Sequence, residues 1–529
     1  MTRSKGELSR FAAIFASGTM LSRVLGLVRD MVIGPVIGDV SRDAFLLAFR
    51  FPNMLRDLIG EGAMNAAFVP VFADVHDKRS QKAFRELVAS ALSAMLLILG
   101  VLTFLGVIFV PMMLQGLDAL GPITGTERIP QENLALIVSL ARWTFPYLFF
   151  IGLAVFAMGP LFVKGHYATP SWSPALLNVS LIATCLLMRG WFPDPAYALV
   201  VGVWLGGIAQ VTVQYIALSK HTGVWRPSFD FSNSGLPVIF TLLVPVLIGQ
   251  ATGEVNKLVD ALFAAKLQNA TVSALYFANR LVQLPLSVFG FATAAAILPT
   301  LSAAASRDDI DGLRDTLMHG LRQTLFLVLP SALGLILLGR PIIRLLFERG
   351  NFSAELGERT ATALAIYAVG LLSFAGVKVA VTGFYAVKDT KTPVIVASIS
   401  MLLNIALNCA FVRGLGYKGL ALATTISFTV NFVVLYILLC ERFGRLWNPV
   451  FLNALHRIFW ATLMALVVAY VVHRKIAAVF AGDGVGEKAA CALVPIAAAV
   501  VSYAGLAWLM GIEELRQFAH MLRRRQADE

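Results

Sequence analysis

Eight uncharged apolar stretches, each long enough to cross a bilayer, constrain this chain more than any other feature of its sequence. Runs of about 18 or more apolar residues predict transmembrane helices, because a helix satisfies its own backbone polar groups in lipid. Six shorter or charge-interrupted candidates bring the predicted number of spans to fourteen, so we expect an all-α integral membrane protein. The eight stretches are residues 87–113, 143–163, 195–219, 231–253, 281–306, 394–412, 419–440 and 489–510, and the six are 9–36, 43–73, 171–188, 323–339, 356–386 and 452–472.

The composition excludes a soluble enzyme. Only 14% of the residues are charged, against about 25% in soluble domains. No loop is much longer than about 20 residues, so there is no room for a catalytic or nucleotide-binding domain. The glycine-rich segment 482–488 is no phosphate loop, because Ala489 follows its lysine where Ser or Thr is required. We therefore expect no enzyme activity and no direct use of ATP.

Lysine and arginine placement predicts that both termini are cytoplasmic. Nearly twice as many basic residues then fall in inner as in outer segments, as the positive-inside rule requires. The segment 340–359, with four outer arginines, fits least well. Arg42, Arg142 and Lys164 lie near predicted helix ends, where we expect them to extend toward the headgroups.

The sequence gives little indication of a transition-metal site, a disulfide bond or nucleic-acid binding. The seven histidines are scattered, and the four cysteines, in apolar stretches, have no paired spacing. The net charge of +12 is not gathered in one extramembrane domain. We expect no cofactor and no metal beyond a Na⁺ ion, and anionic lipid as the partner of the positive charge.

An internal repeat of six spans predicts two parallel lobes around a central cationic cavity. Ala48-Phe49-Arg50 matches Ala278-Asn279-Arg280 at an offset of 230, and Pro70 matches Pro299. Copies with an even number of spans share one orientation in the membrane. The predicted parts are an N-lobe (1–219), a C-lobe (220–441), two further spans (442–511) and a basic amphipathic cytoplasmic tail (512–529) that anchors at the inner leaflet.

The first two predicted spans carry eight charges that cannot face lipid. At about 2.5 to 3.5 kcal/mol each at the bilayer centre, their exposure to lipid would cost on the order of 20 kcal/mol. A polar stripe facing a water-filled cavity avoids this cost, and its arginines suit a diphosphate group. Alternatively, Arg23 with Asp30 and Arg50 with Asp43 form ion pairs that only hold helices together. The charges are Arg23, Arg29, Asp30, Asp43, Arg50, Arg56, Asp57 and Glu61, and Arg280 and Lys378 are candidates in the second copy.

A second set of polar residues predicts a Na⁺ site. Glu254, Lys257 and Asp260 form a ladder along the seventh span. Asp260, Asn404, Asn408 and Thr424 offer oxygen ligands, although ordinary hydrogen bonds between helices explain them equally well.

Four motifs resemble the MurJ/MviN lipid II flippases of the MOP exporter superfamily. They are SRVLGLVRD (22–30), DAFLLAFRFPNMLRDLIGEGAMNAAFVP (43–70), FERGNFS (347–353) and GFYAVKDTKTPV (383–394). The resemblance implies a fourteen-helix transporter that moves undecaprenyl-diphosphate disaccharide-pentapeptide to the periplasmic leaflet for peptidoglycan synthesis. It implies substrate-binding roles for Arg23, Arg29, Arg56, Arg280, Asp43 and Lys378, to which the charge pattern adds Arg50 and Glu61, and it places Na⁺ at Asp260, Asn404, Asn408 and Thr424.

The sequence departs from the family pattern at Asn279, Gln283 and Asn408, where acids occur in some members. These departures make the cavity more positive and weaken the case for sodium coupling. We expect alternating access in the bacterial inner membrane, driven by membrane potential, Na⁺ or both, by a monomer. Lipid II, membrane lipids and cell-division or cell-wall synthesis proteins are the expected partners. The alternatives are a flippase for another polyprenyl-diphosphate oligosaccharide, a drug or cation antiporter of the same superfamily, or a membrane scaffold.

Overall fold

The computed structural model describes residues 5–58, 64, 67–119, 128–224, 226–233, 235–267, 270–480 and 482–516. Eighteen α-helices and no strand occur in this part of the chain, which confirms the predicted all-α class. Contacts divide the chain into two compact units, Met1–Ser273 with Gly350–Phe352 and Ala274–Arg349 with Ser353–Glu529. The repeat-based lobe boundary between residues 219 and 220 stays a prediction.

The first compact unit contains ten helices within its described residues, and an eleventh begins in it. Proline or glycine marks some of their boundaries: Pro146 directly precedes α6 as its N-cap, and the left-handed Gly223 (φ 75°) is the C-cap of α9. The helices are α1 Lys5–Val36, α2 Asp39–Asp57, α3 Val69–Lys78, α4 Gln81–Ala119, α5 Gln131–Thr144, α6 Tyr147–Val163, α7 Ala168–Trp172, α8 Pro174–Leu187, α9 Ala196–Thr222, α10 Gly235–Ala265 and α11 Thr271–Pro285.

The second compact unit continues from α11 through a π-helical turn, Leu286–Gly290, into seven longer helices. These are α12 Phe291–Ala305, α13 Ile310–Leu346, α14 Ala354–Ala386, α15 Lys391–Leu415, α16 Tyr417–Phe443, α17 Pro449–Val479 and α18 Val485–Leu509. The π-helical turn has a counterpart in the first unit, where Leu58, Met64, Ala67 and Phe68 are π-helical between α2 and α3. At the repeat offset of 230, Leu58 corresponds to Val288 in the second turn, so both copies are π-helical at this position.

Eleven helical segments are long and apolar enough to cross a membrane, or twelve if the bent α10 counts as one span; only the described residues were searched. Each matches one of the fourteen predicted spans. The other two predictions, 9–36 and 43–73, coincide with α1 and with α2–α3. Their charges lower the hydropathy of these segments, so apolar length alone does not identify them as spans.

Arg42 differs from its expected role as an exposed anchor at a helix end. Its side chain is fully buried and joins the end of α1, the start of α2 and the start of α11. Nη1 donates to the carbonyls of Gly34 (2.6 Å) and Ile37 (2.9 Å), Nε donates to Ser273 Oγ (2.8 Å), and Nη2 donates to Asp39. The guanidinium stays inside because these acceptors replace water, which the position in the sequence did not indicate.

Three of the four arginines of segment 340–359 bind carboxylates within the second unit. Arg340 pairs with both Glu348 (2.7 Å) and Glu358 (2.5 Å). Arg344 pairs with Asp483 (2.6 Å), and Arg359 pairs with Glu355 (2.5 Å). The predicted orientation stays a prediction, because the positive-inside rule counts Lys and Arg and does not depend on net charge.

The start of the predicted membrane-anchored tail packs on protein. Ile512 is buried in a cluster with Phe326 and Leu329, and Arg322 on α13 binds Glu513 (2.9 Å) and Glu514 (2.7 Å). Residues 512–516 are thus docked on α13, and the rest of the tail lies outside the described residues.

Candidate functional site

The charges of α1 form a partly paired group beside α8. Arg29 donates to Oδ1 of its neighbour Asp30 from Nε (2.9 Å) and Nη2 (2.6 Å), and Nη1 donates to Asn178 Oδ1 (3.2 Å). Asn178 in turn donates to the carbonyl of Ser22 (3.1 Å), which fixes the amide for this role. Asp30 is 2% exposed, so Arg29 is held with a fixed orientation in a largely dry environment.

Arg23 stands two turns before Asp30 on the same helix, yet the two do not pair. Its side chain is half-buried. Within the described residues it makes no ion pair and no side-chain hydrogen bond. A half-buried guanidinium without a carboxylate keeps its donors available for an anion.

Arg56 on α2 repeats the arrangement of Arg29, because it too binds the acid that follows it. Its Nη2 lies 2.5 Å from Asp57 Oδ1. Both residues, together with Arg29, act electrostatically on the hydroxyl of Tyr147 at the start of α6. Tyr147 is fully buried and thereby marks a place where the charged faces of α1 and α2 approach each other.

Arg50 on α2 and Lys257 on α10 share one carboxylate. Glu254 Oε2 lies 3.7 Å from Arg50 Nη2, and Glu254 Oε1 lies 2.5 Å from Lys257 Nζ. Two cations therefore face one buried anion, so the group keeps a net positive charge. The Glu254–Lys257 rung of the predicted ladder is confirmed.

Asp43 caps a helix. Its carboxylate accepts hydrogen bonds from the backbone N–H groups of Val272 (3.3 Å) and Ser273 (2.9 Å) and from the Ser273 hydroxyl. These are the first-turn donors of α11, which carry the positive end of the helix dipole. Asp43 thus has a structural task, and its predicted role in substrate binding stays a prediction.

The alternative prediction, in which Arg23 pairs with Asp30 and Arg50 pairs with Asp43, was wrong for both pairs. Asp30 binds Arg29 and not Arg23, and Arg50 binds Glu254 while Asp43 is taken up by α11. An aspartate directly after an arginine binds it without ordering a second helix, and the N-terminus of α11 offers Asp43 several donors at once. Positive charge remains in excess on α1 and α2.

The second compact unit contains two more of the predicted cations, Arg280 and Lys378. Arg280 is half-buried on α11, six residues before the π-helical turn. Lys378 on α14 is also half-buried, with Nζ 4.6 Å from the centre of the Phe291 ring. That contact is a cation–π interaction, which retains an ammonium group away from bulk water.

Three of the predicted Na⁺ ligands lie together on α15 and α16. Asn408 Nδ2 donates to Asn404 Oδ1 (2.8 Å), and Asn404 Nδ2 donates to Thr424 Oγ1 (3.3 Å). Both asparagines are fully buried. The fourth, Asp260, belongs to the first compact unit on α10, and Na⁺ binding at this set stays a prediction.

Several residues of the candidate site were not predicted, and one prediction lies outside the described residues. Asn178, Tyr147 and Phe291 each contact or influence a predicted cation. A lone polar side chain inside an apolar stretch was the available signal for the first two, whereas Phe291 had none. Glu61 lies outside the described residues.

Comparisons with known proteins agree with the resemblance of the motifs. The family model "MurJ: Lipid II flippase MurJ" matches residues 37–483. A "Probable lipid II flippase MurJ" of Vibrio cholerae is 36% identical over 81% of this chain and 82% of the relative. One of Bdellovibrio bacteriovorus is 32% identical over 97% of both chains.

A solved structure described as "Lipid II flippase MurJ, inward closed conformation" superposes with a TM-score of 0.77. It is 25% identical, and the match covers 94% of this chain and 98% of that one. With the family model and both relatives, these similarities show that the chain belongs to the MurJ family of lipid II flippases.

Proposed function

We propose that this chain flips lipid II, the undecaprenyl-diphosphate-linked peptidoglycan precursor, from the cytoplasmic to the periplasmic leaflet of the bacterial inner membrane. The curated relatives named as lipid II flippases support this activity. As a transporter, the chain makes and breaks no covalent bond in its substrate.

The half-buried Arg23 carries the proposal. An isolated cation inside a membrane protein is costly and marks a functional site, and Arg23 has no carboxylate partner among the described residues. Arg29 and Arg56 lie on α1 and α2, each beside the aspartate that follows it in the chain. A diphosphate that accepts bidentate hydrogen bonds from these guanidinium groups would neutralise the excess charge.

The transport cycle we propose is alternating access by two six-helix lobes, residues 1–219 and 220–441, within fourteen spans. Arg23, Arg29, Arg56 and Arg280 bind the diphosphate in the inward-open state, with Arg50, Lys378, Asp43 and Glu61 as further site residues. The lipid tail remains in the membrane. Neutralisation by the substrate lets the lobes close inside and open outside.

Resetting of the empty carrier is the step at which we place the energy input. Moving one unit charge across 100 mV is worth about 2.3 kcal/mol, so the positive site responds to membrane potential. Na⁺ bound at Asp260, Asn404, Asn408 and Thr424 is the second source we propose. The unit that acts is a monomer with both termini cytoplasmic, in contact with membrane lipids and cell-wall synthesis or division proteins.

The test is complementation of a host whose own flippase is depleted, with the amount of lipid II in the outer leaflet as the readout. We expect the wild-type chain to rescue growth and Arg23→Ala to abolish rescue while still inserting. Arg142→Ala is the matched control, because Arg142 is an exposed arginine near the end of α5. It should rescue fully.

Normal rescue by Arg23→Ala would refute the role of Arg23. Failure of the wild-type chain despite correct insertion would instead indicate an exporter of another polyprenyl-diphosphate glycan.

A further inference from the structure

An apolar cavity of about 210 Å³ lies in the first compact unit between α4, α6 and α9. Leu92, Phe156, Val211 and Leu218 line it, and Pro227, in the segment after α9, lines one end. An apolar cavity of about 150 Å³ stays dry and accepts apolar ligands. Because α4, α6 and α9 all belong to candidate membrane spans, the apolar ligand most available to this cavity is the acyl chain of a bilayer lipid.

Three cations lie beside the Pro227 end of this cavity. Arg85, Lys220 and Arg226 are exposed, and no carboxylate among the described residues pairs with them. The neighbouring Lys78 and Lys82 do have such partners, Asp74 and Glu86. Within the described residues, these three cations thus differ from Lys78 and Lys82 in having no carboxylate to balance their charge.

Arg85 is fixed at the end of α9, close to the cavity lining. Its Nε donates to the carbonyl of Thr222 (2.9 Å), one turn after Leu218, which lines the cavity. Its two terminal nitrogens remain available to a phosphate. The hydrogen bond from Nε thus orients the guanidinium without using its terminal nitrogens.

The segment 226–231 has the character of a membrane interface. Phe229 is 64% exposed and Phe231 47%. Exposed Phe side chains beside basic residues are typical of segments that insert at the boundary between headgroups and acyl chains. The backbone N–H of Ser228 donates to the carbonyl of Ala89 (3.1 Å), which holds Pro227 against the cavity. The apolar cavity suits an acyl chain, and the adjacent cations suit a headgroup phosphate, so one phospholipid could contact both.

We propose that this cavity binds an anionic phospholipid of the bilayer, with an acyl chain between α4, α6 and α9 and its headgroup phosphate on Arg85, Lys220 and Arg226. The predicted orientation puts this end at the cytoplasmic leaflet, whose surface is anionic. None of the residues belongs to the proposed transport site, so the two proposals stand or fall separately.

The experiment uses the purified, delipidated full chain and counts bound lipids by native mass spectrometry. Phosphatidylglycerol is titrated against phosphatidylcholine, and inorganic phosphate is tested as a competitor. We expect one retained phosphatidylglycerol, at least fivefold preferred over phosphatidylcholine and not displaced by phosphate. Equal retention of both lipids, or displacement by phosphate, would overturn the proposal.

Two variants test the two halves of the site. Val211→Trp fills the cavity and should remove the retained lipid. Arg226→Gln should weaken phosphatidylglycerol retention about fivefold, the effect of one basic residue at an anionic membrane surface. Arg307→Gln, an exposed arginine of the second unit, is the matched control and should change nothing.

Arg226 is exposed, so its replacement leaves folding intact and tests the proposal even if Val211→Trp does not fold. Wild-type retention of phosphatidylglycerol by Arg226→Gln, or by folded Val211→Trp, would overturn it.

Discussion

Replacement of Arg42 by methionine should destabilise the first compact unit, because Arg42 is the buried link between α1, α2 and α11. Methionine fills similar space without any of the four hydrogen-bond contacts that the guanidinium makes with Gly34, Ile37, Asp39 and Ser273. Removing one member of a buried ion pair costs about 3–5 kcal/mol. Asp39 is 36% exposed and can regain water, so we take the lower value, about 3 kcal/mol.

The expected fall in Tm follows from the size of the unit. The unit comprises Met1–Ser273 and Gly350–Phe352, and at about 2.1 cal/mol/K of unfolding entropy per residue a loss of about 3 kcal/mol should lower Tm by about 5 °C. Thermal unfolding of the detergent-purified chain, followed by intrinsic fluorescence, measures this shift. Arg42→Lys keeps the charge but not the planar fork and should fall between wild type and Arg42→Met.

Arg128→Met is the matched control, since Arg128 is exposed, and its Tm should stay close to that of wild type. If Arg42→Met lowers Tm no more than this control, the buried network does not hold the three helix ends together. The comparison with Arg23 is equally informative, because Arg23→Ala should impair transport with little change in Tm.

Two further predictions concern packing and pH. Gly18→Ala should lower Tm by several degrees in the same unfolding assay. A Cβ atom at Gly18 would lie 2.6 Å from the backbone of Ser171, and such overpacking costs about 1–3 kcal/mol. An unchanged Tm would show that α1 and α7 can move apart without cost. For Asp389, between α14 and α15, hydrogen bonds from Thr392 and then the nearby Arg442 hold the pKa of the carboxyl below its usual 3.8. Its stabilising effect is therefore present above about pH 4 and is lost as pH falls through the folded-state pKa, so the Tm difference between wild type and Asp389→Asn should shrink below pH 4. A difference that does not vary with pH would contradict the assignment.

The membrane class, the helical architecture and the family could all be predicted from the sequence. Transfer into lipid depends on the composition of each stretch by itself, so the apolar runs predict twelve spans that the helices match. The repeat was also visible, since Arg50 and Arg280 keep their offset and each precedes a π-helical turn. The charges of α1 and α2 indicated a site but gave no partners.

Only the tertiary structure decided which of these charges are structural and which remain available. Arg42 and Arg23 look alike in the sequence, yet one is fully buried among acceptors and the other has no carboxylate partner among the described residues. Asp43 finds its donors at Val272 and Ser273, and Arg50 finds Glu254, each more than 200 positions away. Hydropathy is a property of a residue and its neighbours in the chain, whereas an ion pair depends on the distance between helices, which packing alone sets.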